Sequence, residues 1–455
     1  MLKIVKLMIW SLIFFMIVFN GKYTMIKYGL VGALFLFSLF KLLFDKYYAN
    51  KFIVKWFVLY ICSGFLATII SLFNQNQGAT AFITVTLFEP FIYLVFVIES
   101  KKHIETIKKA LFNCTVVAIS INLLCTVLIN LGINTPNFLG VGANYGGVTG
   151  GFIKTSSSNI PMLMSLVPLY IALYSLEGRK KYLFLSVGGV LCAIITMRTA
   201  FILVMLFTPL IIFVLKIFCG IHTCKIRFTT NKLITAIFIF VIFTCFISLK
   251  WSTFTHLTDA IINKIIVSFR DANYTNEYGV VDAGGSIRHQ QIQDLLYTWK
   301  FKPLLGWGDG AEVLNSERAG YMYELSYFQV LMQRGLIGLS LYISCFSSII
   351  YKGIQEFKRN RSNTHLFAAM VGLITILIAN ATNPYLMSFD QSYIIFWNLM
   401  LINQAILKRN NIGVIKNNEH KVINCQHAGA SNQGILITLI QEKHLKTMTT
   451  YEKFI

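Results

Sequence analysis

The chain has 455 residues, of which 56% are hydrophobic, 14% are aromatic and only 13% are charged. A composition this apolar excludes a single soluble core with a wettable surface, and it is typical of integral membrane proteins. The formal net charge of +21 would suggest a nucleic-acid partner in a soluble protein. In this chain the cations lie mainly in the connections between apolar runs, so we predict no nucleic-acid partner.

Apolar runs recur along the sequence, each long enough to cross a bilayer, which takes roughly 20 helical residues. We therefore predict an all-α integral membrane protein with about twelve transmembrane helices. The predicted spans are Leu2–Phe19, Met25–Phe44, Phe52–Phe73, Ala79–Ile98, Ala110–Leu131, Ile160–Leu176, Tyr182–Met197, Thr199–Phe218, Leu233–Leu249, Leu336–Tyr351, Leu366–Ala381 and Ser392–Leu407.

The connections between these spans alternate between basic and cation-poor. If the N-terminus, with Lys3 and Lys6, is cytoplasmic, every connection that returns to that side is basic. The opposite set has few cations, chiefly Lys22, Lys27, Lys154 and Arg198. The positive-inside rule therefore predicts that both termini lie in the cytoplasm.

Two outward loops are longer than the other connections, and long loops in compact folds often carry function. Residues 1–249 hold spans one to nine, interrupted by a Gly-rich outward loop over 132–158. Residues 250–324 form a large extracytoplasmic loop, and residues 325–407 hold spans ten to twelve. The tail over 408–455 loses the transmembrane pattern, which predicts a poorly ordered cytoplasmic segment.

The larger loop contains an amphipathic helix. Apolar residues fall at helical spacing, Ser286 is a plausible N-cap and Pro303 is a stop. Arg288 projects from the same face as the apolar stripe and not from the solvated face. The alternative interpretation is an arginine that snorkels at the membrane surface. The stripe consists of Ile292, Leu295, Leu296 and Trp299.

Two further residues are candidates for chemistry at the outer boundary. Arg198 interrupts an otherwise nearly continuous apolar run, and a cation beside hydrocarbon favours an anionic partner such as a phosphate. Glu324 precedes the tenth span, where a carboxylate could serve as a general base. The alternatives are that Arg198 merely ends a helix and that Glu324 is a solvated loop acid.

The sequence predicts neither a metal site nor a cofactor. It contains no HExxH motif, no cluster of metal-binding carboxylates and no nucleotide-binding fingerprint. The segment GWGDG, with Gly306, Gly308 and Gly310, resembles a phosphate cradle only superficially, since a Walker lysine and a following strand-helix unit are missing.

Taken together, four segments resemble the O-antigen polymerase and ligase superfamily, bacterial membrane proteins that handle undecaprenyl-diphosphate-linked glycans. Asn159 stands near a helix start in the first, Arg198 in the second, Arg288 in the third and Glu324 in the fourth. The segments are the Gly-rich loop leading into TSSSNIPMLMSLVPLY, then TMRTAFILVML, IRHQQIQDLLYTWKFKPLLGWGDG and YELSYFQVLMQRGLIGL.

The resemblance implies a polymerase in the bacterial cytoplasmic membrane that joins lipid-diphosphate-linked oligosaccharide repeats into an O-antigen or a capsule. It implies that Arg198 and Arg288 bind the diphosphate and that Glu324 is the catalytic base, with no metal and no cofactor. Undecaprenyl-diphosphate-linked oligosaccharide and membrane lipid are the implied partners, and a chain-length regulator is a further candidate.

Two alternatives stay open at this point. The ligase branch is similar around RGLIGL but carries a His-Asn pair where Glu324 stands here, which favours the polymerase branch. A flippase for the same lipid-linked repeat would also have about twelve helices. It would be expected to show internal repeat symmetry and charges along a central cavity, and neither is evident in this sequence.

Overall fold

The computed structural model describes residues 2–44, 50–83, 97, 103–136, 139–149, 152–196, 198–221, 283–314 and 323–409. It is mostly helical, and the labels below count helices and not membrane spans. The helices are α1 (Leu2–Val18), α2 (Thr24–Phe44), α3 (Lys51–Phe73), α4 (Ala79–Ile83), α5 (Ile104–Asn130), α6 (Ile160–Glu177), α7 (Lys180–Thr196), α8 (Thr199–Phe218), α9 (Ala283–Trp299), α10 (Ser326–Arg359), α11 (Thr364–Asn380) and α12 (residues 393–409).

Five of these helices, namely α3, α5, α6, α8 and α10, are long and apolar enough to cross a membrane. Helix α11 and the first part of α2 are shorter but also apolar. This pattern is that of a multi-pass membrane protein. Several predicted segments lie outside the described residues, namely most of span Ala79–Ile98, span Leu233–Leu249, the loop as far as residue 282 and the tail beyond residue 409.

The chain divides into two units, Met1–Gln404 and Ala405–Ile455, and the features below belong to the first. Its most buried helix is α6, which packs against α7 and α11. Every residue of α6 from Ile160 to Tyr170 is buried, as expected for a helix that is covered on all sides. Gly372 on α11 allows a close approach, because a Cβ there would lie 2.8 Å from the Ser165 carbonyl oxygen.

Several connections meet at one end of the helices, which we call the site end. The Gly21 amide, between α1 and α2, donates to Asp390 Oδ2 at 2.7 Å. The Asn76 amide, after α3, donates to the Trp307 carbonyl oxygen at 3.2 Å. The site end thus gathers the connections 19–23, 74–78, 300–314 and 381–392.

The opposite end, which we call the basic end, gathers another set of connections. Thr364 Oγ1 donates to Glu177 Oε1 at 2.5 Å, and the Arg361 guanidinium lies beside Gly220. Helix α8 has 20 residues and therefore separates the two ends by about 30 Å. Cations at the basic end include Arg179, Lys180, Lys181, Lys216, Lys358, Arg359 and Arg361. Which end faces the cytoplasm stays a prediction.

The Gly-rich loop predicted over 132–158 contains a β-hairpin, a departure from a purely helical fold among the described residues. Strands β1 (Val141–Thr149) and β2 (Phe152–Ser157) pair antiparallel, with an irregular register between Asn144 and Thr149. Glycines lower the strand propensity of β1, so the sequence shows no alternating pattern. Instead the hairpin is held by Asn130 of α5, whose side-chain amide bonds both the carbonyl and the N–H of Ile153.

Helix α10 is broken at Gly335, whose φ of 64° and ψ of −172° are not helical. The break separates residues 326–334 from residues 336–359, in line with the predicted start of a span at Leu336. The loop after α9 fills the break, since Leu336 N donates to Pro303 O at 2.9 Å and Ile337 N donates to Leu304 O at 3.2 Å. These carbonyls replace the acceptors that an unbroken helix would supply.

Candidate functional site

The loop helix α9 forms as predicted, but its start differs. It begins at Ala283, so the predicted N-cap at Ser286 is wrong and Ser286 lies inside the first turn. Tertiary packing, more than local capping, sets how far a short helix extends. Its end at Trp299 fits the predicted stop, because the indole Nε1 of Trp299 donates to the Pro303 carbonyl oxygen at 3.0 Å.

The apolar face of α9 packs on the protein. Leu295 is buried in a cluster with Leu325 and Met332, and Ile292 and Trp299 pack against that cluster. This face is the one from which Arg288 was predicted to project. Helix α9 therefore lies against α10 at the site end.

Arg288 is paired with a carboxylate. Its Nε donates to Glu324 Oε2 at 2.9 Å, and the two side chains are 36% and 37% exposed. One turn further along α9, the Gln291 side-chain oxygen accepts from the Glu324 N–H at 3.3 Å. Helix α9 thus bonds both the backbone N–H and the carboxylate of Glu324, which lies directly before α10.

Arg198 lies at the N-terminus of α8 with an extended backbone. Its guanidinium carbon lies 5.7 Å from the centroid of the Tyr385 ring, over the ring, a distance at which the cation is attracted to the ring face. Tyr385 begins a short 3-10 turn, Tyr385–Met387, between α11 and α12. Arg198, the cation that interrupts the apolar run, thus has an aromatic partner in Tyr385.

Tyr385 brings the predicted site residues together. Burial raises the pKa of the Tyr385 phenol, the nearby guanidinium groups of Arg198 and Arg288 lower it, and the Glu324 carboxylate raises it. All three side chains are therefore within electrostatic reach of one phenol, although they come from three separate segments. Their roles in chemistry stay predictions.

The arrangement suits a particular kind of ligand. Two guanidinium groups can each form paired hydrogen bonds with phosphate oxygens, and a half-exposed carboxylate can accept a proton. The raised pKa keeps the phenol protonated near neutral pH, so its hydroxyl can donate a hydrogen bond. Sequence reasoning missed Tyr385, because a single tyrosine after Pro384 in a short connection shows no pattern.

The segment GWGDG is an anchor for the loop and not a phosphate cradle. Most of its amides are already used; for example, Trp307 N donates to Met332 O at 3.1 Å and Gly308 N donates to Gln333 O at 2.8 Å. An anion site made of backbone amides would need them free. Gly308 has a φ of 91° and lies against the backbone of Ser71 in α3, where no other residue would fit.

A buried ion pair completes this anchor. Arg334, the residue before the break in α10, donates from Nε to Asp309 Oδ1 at 2.7 Å and from Nη2 to Asp309 Oδ2 at 3.2 Å. The Asp309 side chain is 0% exposed and that of Arg334 is 8% exposed. The pair fixes the loop that carries α9 onto α10.

Within the part of the chain that the structure describes, no three His, Cys, Asp or Glu side chains come close enough together to hold a metal ion. No protein-family model matches the chain, and no curated protein is significantly similar to it in sequence. A functional assignment therefore depends on the residues of the chain itself and on the geometry at Tyr385.

Proposed function

We propose that the protein is a membrane glycosyltransferase that joins undecaprenyl-diphosphate-linked oligosaccharide repeats into an O-antigen or capsular polysaccharide. In this proposal the site end lies at the outer face of the bacterial cytoplasmic membrane, in a chain of about twelve spans with both termini inside. The basic end then faces the cytoplasm, as the positive-inside rule requires.

One observation carries the proposal. Arg198 lies over the Tyr385 ring, and the Arg288–Glu324 pair is within electrostatic range of the same phenol. A transferase of this kind must stabilise a departing diphosphate and remove a proton from an acceptor hydroxyl. Two guanidinium groups supply the first function and a carboxylate supplies the second.

The reaction needs no external energy source, because the sugar already carries its leaving group. The acceptor hydroxyl attacks the anomeric carbon and forms the new C–O bond, while the bond from that carbon to the phosphate oxygen breaks. The electron pair of the broken bond leaves on the lipid diphosphate, where Arg198 and Arg288 stabilise the charge. Glu324 takes the hydroxyl proton.

Arg288 and Glu324 are paired in the resting protein, so the substrate must separate them. Both side chains are more than a third exposed, and such an ion pair contributes no more than about 1 kcal/mol. A diphosphate carries more charge than a carboxylate and can accept both N–H groups of the arginine fork. Binding of the substrate would therefore release Glu324 at little cost and leave it ready to act as a base.

The first test compares surface glycan from a gene-deletion strain, with and without the wild-type gene, by gel banding. A polymerase predicts that deletion leaves only single repeat units at the surface. Full-length polymer held on its lipid carrier would favour a ligase, and repeat units trapped inside would favour a flippase.

The second test uses variants in the same strain. We expect Arg198→Ala and Arg288→Ala to abolish polymer while the protein stays in the membrane, because each removes a fork that holds the diphosphate. Arg179→Ala is the matched control, since Arg179 lies at the basic end and its side chain is 62% exposed. Normal chain lengths in both site variants would refute the assignment.

A further inference from the structure

The hydroxyl of Tyr385 is buried without a hydrogen-bond partner among the described residues, and the whole residue is only 6% exposed. The Arg198 guanidinium carbon lies 5.7 Å from the ring centroid, and its charge and its contact with the hydroxyl lower the pKa of the phenol. That contact does not reach hydrogen-bond geometry, so the hydroxyl has no hydrogen-bond partner among the described residues. A buried hydroxyl left without a partner is unfavourable, and each such group calls for an explanation.

The backbone around Tyr385 keeps the phenol where it is. Tyr385 N donates to Asn383 O at 2.7 Å, and the Leu386 N–H donates to the side-chain oxygen of Asn380 at 2.9 Å. These bonds and the fixed φ of Pro384 hold the backbone of the turn, and the packing that leaves Tyr385 only 6% exposed keeps its ring in place.

The far end of the same connection is also fixed. Lys27 Nζ donates to Asp390 Oδ2 at 2.5 Å, and both side chains are almost fully buried. The Gly21 amide donates to the same carboxylate oxygen at 2.7 Å. The connection 381–392 is thus fastened at both ends, so the missing partner of the Tyr385 hydroxyl is not the result of a loose segment.

We propose that the Tyr385 hydroxyl donates a hydrogen bond to a phosphate oxygen of the lipid-linked diphosphate, between the forks of Arg198 and Arg288. This inference rests on the proposed function and adds a substrate-binding residue to it. The phenol supplies one further donor in a place where a phosphate oxygen held by two arginines would need it.

The chemistry of the phenol agrees with this role. Burial raises the pKa of Tyr385 and outweighs the effect of the two arginines, so the hydroxyl keeps its proton. The ring face attracts the Arg198 guanidinium, and the N–H groups at the edge of a guanidinium can bind an anion while its face lies on a ring. Tyr385 therefore has two separable parts, a ring that positions Arg198 and a hydroxyl that meets the ligand.

Tyr385→Phe separates the two parts, because it removes the hydroxyl and keeps the ring. We would measure the affinity of the purified full-length chain, in lipid nanodiscs, for undecaprenyl diphosphate, alongside the thermal unfolding midpoint. The expected result is roughly tenfold weaker binding, as for the loss of one hydrogen bond to a charged group. The unfolding midpoint should stay the same, since no hydrogen bond within the described protein is lost.

Tyr297→Phe is the matched control. Tyr297 lies on α9 like Arg288, but its side chain is 45% exposed and stacks edge-on against Phe301. We expect this variant to bind undecaprenyl diphosphate as tightly as the wild type.

Each outcome decides something. If the wild type binds and Tyr385→Phe binds equally well, the inference is wrong and the proposed function stands. If Tyr385→Phe loses affinity only together with a fall in the unfolding midpoint, the hydroxyl is structural and the inference is again wrong. If the wild type itself does not bind undecaprenyl diphosphate, both the inference and the proposed function fail.

Discussion

The ion pair between Asp309 and Arg334 should be the largest single polar contribution to holding the loop helix in place. Asp309→Ala removes a carboxylate that is fully buried and accepts two hydrogen bonds from Arg334, at 2.7 Å and 3.2 Å. The buried Arg334 guanidinium then loses the Asp309 carboxylate. Breaking a buried pair in this way costs about 3–5 kcal/mol.

The pair can also be replaced instead of broken. In the double variant with Asp309→Leu and Arg334→Met, no charge is left in the apolar surroundings, and such replacements are often neutral within a few kcal/mol. We therefore expect the double variant to be more stable than Asp309→Ala alone. The difference in free energy of unfolding between the two variants measures how much of the loss in Asp309→Ala comes from breaking the charge pair and how much comes from lost packing.

The free energy of unfolding can be measured in mixed micelles by denaturant titration, with circular dichroism as the signal. Glu105→Ala is the control, since Glu105 pairs with Lys108 at 2.6 Å but its side chain is 76% exposed. The control should lose less than about 1 kcal/mol. An equal loss in Asp309→Ala and Glu105→Ala would refute the reasoning that burial makes the Asp309 pair structurally decisive.

Two further predictions follow from the same contacts. Lys27→Met strands the Asp390 carboxylate, which Lys27 now meets at 2.5 Å, so the free energy of unfolding should fall by about 3–5 kcal/mol in the same titration, and an unchanged value would contradict this. Gly335→Ala should lower it by about 1–3 kcal/mol for the backbone conformation alone, and further because a Cβ there would run into the Leu304 carbonyl. Gly132→Ala is its control, since Gly132 also has a positive φ but has no atom within 4 Å of its Cβ position. Equal losses in both glycine variants would show that contact with Leu304 does not matter.

The sequence predicted the helices well where burial in lipid sets the pattern. Helix α8 begins at Thr199 and ends at Phe218, which are the predicted bounds. A bilayer imposes a nearly uniform apolar solvent over some 20 residues, so composition alone finds such spans. Cations gather at the basic end of the structure, and their assignment to the cytoplasmic side stays a prediction of the positive-inside rule.

The same reasoning failed where contacts between distant segments decide the structure. The hairpin over 141–157 depends on Asn130 of α5, which bonds Ile153 from outside the strands. Three glycines in β1 gave no alternating pattern that could have predicted it. The anchoring role of GWGDG could not be predicted for a similar reason. Asp309 anchors the loop through its ion pair with Arg334, which is 25 residues away in the sequence.

The candidate site contains residues that could be predicted from the sequence and one residue that could not. Arg198, Arg288 and Glu324 could be singled out because a charge at the membrane boundary is conspicuous in a hydrocarbon background. Tyr385 could not, because tyrosine is common at membrane interfaces and only the folded chain shows that its hydroxyl is buried and without a partner among the described residues.

The described ion pairs at the site end differ in exposure. Two are buried and hold the fold, and a third is exposed enough to exchange partners. Asp309–Arg334 and Lys27–Asp390 are almost fully buried, so neither can be opened without a large cost. They fasten the loop that carries α9 and the connection that carries Tyr385. Arg288–Glu324 is more than a third exposed on both sides, and an anionic ligand can displace the carboxylate cheaply. Among the described residues, the framework of the site is thus held by buried pairs and Arg288–Glu324 is left exchangeable. The proposed transferase would use this difference to release its base only when the diphosphate has arrived.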